Sequence, residues 1–519
     1  MLMRTKSRSD YSEEYLKYGN GNDTRIPLWQ LVYHDCAVST WYWGDSPGFH
    51  YQAAPEISAR KDLFALLYGS VPVLWRDRSD YDWQINRARL LRSYYDTCPL
   101  GESLAFSAMT GHEFLSEDRA LQRTRFSTGH VVTVNFSEEP REYTDSLGNK
   151  RLLAPLGFWV EGPDIVQSRL WVDGEAVTAI EKKDFVRYET KAQRTLSAVT
   201  LQGEFTAFTT DTDHWQTATA PSGEYTIDVP KLTGWPANTP YAVLTLDSLG
   251  ETRRVRGVYD GSAPLVLRPE QDGRFHAILP KDKAPKIALY PVEPWIENGG
   301  PVQLSSAQDG AVLRYTLDDT EPGPNSTVYE QPFPLPGPVT LKARAFVEGV
   351  GVGETVTRAY RPVKTVFQSG LIRGGEAPRR VELAWQEGAE LRILVTNGAD
   401  FCWSDWADLG DAKFVLESGE SVYLSSLKPV FAFQTYKTLG LDKNGTDGAP
   451  LTMGGRVFER GLGLFSEAEL RYTPPPGTRR FETWAGLDDR ADPKGNPHPS
   501  LMGSVEFVIQ QVPGRPGGS

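Results

Sequence analysis

Residues 26–45 read IPLWQLVYHDCAVSTWYWGD, and this stretch decides how the chain is read. An apolar run over 28–38 is interrupted by His34 and Asp35 and followed by a cluster of Trp41, Tyr42 and Trp43. A run of this length, bounded by a proline and a glycine, predicts a fully buried strand. A buried strand that ends in polar and aromatic residues is the pattern of a barrel strand where it opens into a site.

The flanking residues extend that pattern. Residues 11–18 suit a short helix. ISARKDLFALLY, 57–68, carries Ile57, Leu63, Phe64, Leu66 and Leu67 on an approximate helical stripe, and Gly69 stops it. VPVLW, 71–75, predicts a short buried strand, and 81–95 a second helix. Strand, loop, helix, strand and helix make the repeating unit of a (β/α) barrel, but only about a quarter of one. A quarter cannot close, so it is expected to leave strand edges and an unpaired apolar helix face. The expected fold is multidomain and mainly β: an incomplete (β/α) barrel end followed by β-sandwich domains and a jelly roll.

A chain of 519 residues suggests roughly three to four domains. The many aromatics, with 48 Gly and 37 Pro, favour short strands and turns beyond residue 120. A net charge of −12 argues against nucleic acid, whose phosphates demand a basic face. No basic run suggests an anionic membrane, and no apolar span is long enough for a membrane helix. Three distant cysteines form neither a disulfide framework nor a metal motif, and the seven histidines show no ligand spacing. Residues 1–25 lack the apolar centre of a signal peptide. That implies either a cytoplasmic protein or a missing N-terminus. A monomer is expected.

Three motifs in order carry a resemblance: IPLWQLVYHDCAVSTWYWGD, DLFALLYGSVPVLW and FSAMTGHEFLSEDRALQRTRFSTGHVVTVNFS. Over 26–137 they resemble the end of the catalytic region of endo-α-N-acetylgalactosaminidase-type glycoside hydrolases. The resemblance implies a secreted or cell-surface enzyme that hydrolyses α-linked N-acetylgalactosamine (mucin-like) glycans with retention. The two carboxylates of that reaction belong to earlier strands of the family, so no catalytic residue is expected here. In the binding reading, His34, Asp35 and Asp45 bond sugar hydroxyls while Trp41 and Trp43 stack on sugar faces. In the structural alternative, His34 and Asp35 pair with each other or with backbone, and the tryptophans pack under the next helix. A third reading is an active enzyme of another class that uses Asp35 and Asp45.

Residues 1–118 form the expected barrel fragment. Two β-sandwiches are expected over 119–200 and 201–286, starting with a hairpin over 121–136 and a DSLGN turn at 145–149. Residues 287–363 have the strand spacing of a small Ig-like sandwich. Their RYTLDDTEP and KARA segments resemble the C-terminal domain that follows chitobiase and β-hexosaminidase catalytic regions. A spacer role follows, with Asp318, Asp319 and Glu321 as turn-formers.

Residues 364–513 carry the last resemblance. VYLSSLKP, LDKNGTDGAPLTMGGRVFERGLGLFSEAELRY, FETWAGLDD and GSVEFVIQ, within 421–510, are similar to the first half of an NPCBM-type carbohydrate-binding jelly roll. The ending that such a module needs occurs earlier, over 366–415. Either half alone would leave open sheet edges. One jelly roll in circularly permuted order is therefore expected, with LESGES at 416–421 joining the old termini. It requires 505–509 to lie beside 366–369.

An aromatic platform with a few polar groups suits sugar, and Trp403, Tyr436 and Trp484 are the candidates, with Trp406, Asp488 and Asp489 beside them. The structural alternative assigns Trp406, Asp408 and Asp411 to holding strands together. Phe465 stands where the family often has His. No cofactor is expected; oxygen ligands leave room for a structural calcium, without a contiguous ligand loop. Residues 514–519 are expected to be disordered. The implied partner is a glycan, bound either by the C-terminal part of a hydrolase or by a stand-alone glycan-binding protein.

Overall fold

The computed structural model describes residues 26–42, 55–73, 83–211, 213–219, 223–297, 299–335, 337–398, 404–445, 447–489 and 503–513. The expected helix at 11–18 and the tail at 514–519 lie outside them. The fold is mainly β and multidomain. It divides into two compact units, one ending at Ala288 and the other resuming at Leu289.

The strand expected over 28–38 is not there. Helix α1, Leu28–Tyr33, takes most of that run, and the strand comes later, at Thr40–Tyr42. Leu28, Leu31 and Val32 recur at helical spacing, and Pro27 stands just before the first turn, where its missing N–H costs nothing. Length cannot separate helix from strand in so short a run.

The β-α-β order survives the shift. Thr40–Tyr42 pairs in parallel with Val71–Val73, and α2, Pro55–Tyr68, connects them. Gly69 ends α2 with φ +64°, and its amide donates to the Leu66 carbonyl. Helix α3 follows at Trp83–Leu104. Among the described residues the parallel sheet has two strands and no barrel closes.

The apolar helix faces are not left bare. Leu63, Phe64 and Leu67 of α2 and Leu100 and Leu104 of α3 share a core with Phe126, Val132, Val134, Phe136 and Phe158 from the following sheet. Each such burial stabilises by roughly 1.5–3 kcal/mol. Thr124 Oγ1 donates to the Leu67 carbonyl at 2.6 Å, joining sheet to helix. Arg187, 2% exposed, donates to Asp96 of α3 at 2.9 Å and to Glu189, so its buried charge is paired.

The hairpin Leu121–Phe126 and Val131–Asn135 forms as expected and, beside the edge strand Met109–Phe114, belongs to a sheet of sixteen strands among the described residues. The boundary expected at residue 200 falls inside the strand Val199–Asp211. That strand pairs with Phe185–Leu196 on one side and His214–Thr219 on the other. The two expected sandwiches therefore share one sheet, with separate cores at its two ends.

In the second unit one long strand, Val350–Gln368, belongs to two modules. Its first part pairs with Val339–Val347 of the spacer. Its last part pairs antiparallel with Ser504–Val512, Lys364 opposite Gln511 and Phe367 opposite Ile509. This is the juxtaposition expected of a single jelly roll. The same sheet continues through Glu390–Thr396, Ala468–Tyr472 and Phe431–Gln434. The facing sheet runs Arg379–Ala384, Thr478–Leu487, Trp406–Leu416, Gly461–Phe465 and Gly440–Leu441. Leu391, Leu409, Phe414, Leu462, Phe481 and Ile509 fill one core between them, drawn from both stretches.

Trp295 of the spacer is overlaid by the guanidinium of Arg392 at 4.2 Å and that of Arg471 at 5.4 Å, both from the jelly roll. Glu297 accepts from the Thr365 amide and from Gln510.

Asp62 of α2 gives a test of the helix packing. It is buried and accepts from Ser93 of α3 at 2.6 Å. Burial pushes its carboxyl up to about 7, against the Ser93 hydrogen bond; the Asp96 charge adds to the rise. The folded state thus holds a proton that the unfolded chain has released, and stability falls as pH rises from about 4 through about 7. Asp62→Asn removes that loss. Thermal melts should find the variant more stable than wild type by about 2–4 kcal/mol near pH 8, and little different near pH 4.

Candidate functional site

The residues expected to bind sugar lie in two places. In the first unit His34 is 2% exposed. Its Nδ1 lies 2.6 Å from the Ser107 carbonyl and its Nε2 3.1 Å from the Gly69 carbonyl, with the ring edge-on to Phe126. The ring fastens α1 to the ends of α2 and α3, which is the backbone-pairing alternative. Asp35 is exposed and accepts from the Cys36 thiol at 3.3 Å. Trp41 stands in the strand Thr40–Tyr42, while Trp43 and Asp45 lie outside the described residues.

A cleft of about 460 Å³ in the same unit was not anticipated from the sequence. Arg169, Trp171, Glu175, Glu189, Lys191 and Glu204 are among its lining residues. Its buried carboxylates have structural work. Glu175 accepts from the Lys191 and Ala192 amides and from Arg194, where the strand register shifts. Burial alone would raise Glu189, but Arg92, Arg187 and Arg169 hold its carboxyl below the usual range.

In the second unit Tyr436 is 52% exposed. It stands against Trp406 with centroids 5.8 Å apart and against Phe465 at 5.4 Å. Trp406 and Phe465 meet edge-on at 4.8 Å. The Lys437 ammonium lies 5.1 Å from the Trp406 ring centre. Thr435 fixes the loop: its amide donates to the Glu467 carbonyl and its hydroxyl to the Ser466 carbonyl. An amphipathic ring held in place on an aromatic base suits the apolar face and polar rim of a sugar. The sequence pointed to Tyr436 and Trp406 separately but not to their contact with each other and with Phe465, which lie on different strands and loops.

Trp484 is differently placed. The guanidinium of Arg456 covers its ring at 4.4 Å, and Arg380 lies 5.4 Å from it. Sugar stacking there would have to displace an arginine. Trp403 lies outside the described residues. Of the neighbouring carboxylates, Asp405 accepts from the Ser504 amide and the Ser466 hydroxyl. Asp489 accepts from the Gly455 amide. These are the strand-holding bonds expected of the segment. Asp408 is buried against the Asp488 carboxyl and the Thr452 backbone.

Three stretches of the chain match known family models. Residues 7–125 match the model for glycosyl hydrolases related to the GH101 family, GH129. Residues 296–358 match the chitobiase/β-hexosaminidase C-terminal domain, and residues 420–510 match the NPCBM/NEW2 domain. The chain is thus multidomain, with one region similar to a glycoside-hydrolase family and others similar to two domains found in carbohydrate-active proteins. A comparison with curated proteins finds no match. Among solved structures, the M60 catalytic domain with the CBM51-1 and CBM51-2 domains of Clostridium perfringens ZmpB is 8% identical, at a TM-score of 0.14. The match covers 80% of this chain and 43% of that one, and at that score it says nothing about the fold.

The His34 arrangement predicts a stability effect. His34→Ala removes a buried ring that donates to a backbone carbonyl and packs edge-on against Phe126, and should destabilise the first unit by about 2–4 kcal/mol. Chemical denaturation followed by circular dichroism checks this, and glycan binding by the second unit should be unchanged.

Proposed function

We propose that this chain is the glycan-recognising C-terminal portion of a secreted hydrolase acting on α-linked N-acetylgalactosamine-type, mucin-like glycans. Substrate would be held by the jelly roll, and the cutting done by carboxylates outside the elements described here. The exposed Tyr436 on its Trp406–Phe465 base carries the reading. The match of 7–125 to a glycosyl-hydrolase model supports a glycan substrate. Engaged carboxylates in the first unit's cleft support a chain that binds without hydrolysing.

The jelly roll itself is read as one carbohydrate-binding module in circularly permuted order. The pairing of 364–368 with 504–512 supports this, as does a family match that stops at residue 510 and omits 366–415. The turn that joins the old termini is tight: the Leu416 amide donates to the Glu420 carbonyl.

Glycan-array binding by the whole chain tests the proposal. Terminal α-N-acetylgalactosamine glycans should bind, and Tyr436→Ala should weaken binding roughly tenfold or more. An aryl α-N-acetylgalactosaminide should not be turned over. Turnover, or array binding indifferent to Tyr436, contradicts the reading.

A further inference from the structure

The cleft of the first unit has a rim that the structural bonds within it do not use. Its lining comes from four neighbouring strands, Ile165–Val172, Glu175–Lys182, Phe185–Leu196 and Val199–Asp211. Arg169 and Trp171 are two residues apart on the first strand, and Gln202 and Glu204 two apart on the fourth, so each pair shares a face. Cross-strand pairing sets Arg169, Thr178, Glu189 and Glu204 in one row. Ala176 stands opposite Trp171, so no bulky side chain crosses from that strand onto the indole. Trp159 and Trp484, by contrast, each lie under an arginine. Trp171 is partly exposed and lines the cleft.

The polar groups around that indole hold hydrogen-bonding capacity in reserve. Arg169 donates to Thr178 Oγ1 at 3.2 Å and stands 3.7 Å from Glu189, which leaves most of its N–H donors uncommitted. The Glu204 side chain is 55% exposed, and Arg187 comes only within 4.0 Å of it, beyond hydrogen-bond reach. Lys191 is exposed at the same rim. The charges nevertheless cancel. Arg92, Arg169 and Arg187 face Asp96, Glu189 and Glu204. Arg194 and the nearby Lys191 balance Asp173 and Glu175. Donors and acceptors without a net field suit a ligand that is polar but uncharged.

We propose that this cleft is a second saccharide site, which takes one neutral pyranose unit with Trp171 against its apolar face. A sugar hydroxyl donates and accepts at once, so Arg169 and Lys191 donate to its oxygens and Glu204 accepts from it. The indole supplies the flat apolar surface that the C–H face of a sugar needs. A volume of about 460 Å³ falls in the range of small-molecule pockets. Glu175 and Glu189 stay with their amide and arginine partners, so the site holds a sugar without cutting it. One stacked ring and a few hydrogen bonds in a half-open cleft give a dissociation constant on the order of millimolar. The proposal does not rest on Tyr436, which lies in the other unit.

The test uses the whole chain carrying Tyr436→Ala, so that the other candidate site is silenced and failure of either proposal is seen separately. Saturation-transfer NMR is run with the methyl glycosides of galactose, N-acetylgalactosamine and N-acetylglucosamine, and with N-acetylneuraminic and glucuronic acids. At least one neutral glycoside should receive saturation, and the acids should not. Adding Trp171→Ala should abolish the transfer. Glu204→Gln, at an exposed side chain, should fold as the parent does and weaken binding by about fivefold. If Trp171→Ala fails to fold, Glu204→Gln decides, and unchanged binding in it overturns the proposal. No transfer to any neutral glycoside, or transfer that survives Trp171→Ala, overturns it as well. Binding of an acid as strong as that of the neutral sugars overturns the assignment to an uncharged ligand.

Discussion

The second unit depends on one antiparallel pairing, between 364–368 and 504–512. These segments are far apart in sequence, yet each supplies hydrogen bonds that the other lacks. Without the pairing, Ser504–Val512 would have only Glu390–Thr396 as a full-length neighbour, and one edge of the sheet would stand open. With it, two incomplete stretches enclose a single apolar core. The same strand runs back into the spacer, so the two modules share a hydrogen-bond ladder. Trp295 between arginines and Glu297 on Thr365 reinforce that continuity.

Paired and unpaired buried polar groups separate structural roles from functional ones. Arg187 is deep but faces two carboxylates. Asp405 is buried but receives an amide and a hydroxyl. His34 is buried with a carbonyl at each ring nitrogen. Each of these offsets its own desolvation and needs no ligand. Glycines on both sides of the buried Asp408 leave room for the backbone of the 443–445 loop and for Met453.

Much of this was legible in the sequence where local signals and tertiary packing agree. Gly69 marked the end of α2 because only a left-handed residue ends the helix there. The hairpin around 127–129 was legible from alternation and its turn. The run at 28–38 was misread because its first six residues satisfy both periods, and its packing against the next helices decided for a helix. The boundary at 200 was misplaced because the change in pattern marks a change of core, while the strand itself runs on. At the proposed sugar site Tyr436 and Trp406 were both singled out, but their meeting with Phe465 comes only through strand pairing. Trp484 looked like a platform because a sequence does not reveal that Arg456 lies on its ring.

The most direct test of the account is native-state hydrogen exchange over the second unit. If the jelly roll is one body built from both stretches, amides of 364–368, 390–396 and 504–512 should open together, with one free energy and one denaturant dependence. Separate exchange, with 366–415 opening well before 504–512, would show two independent halves and contradict the account.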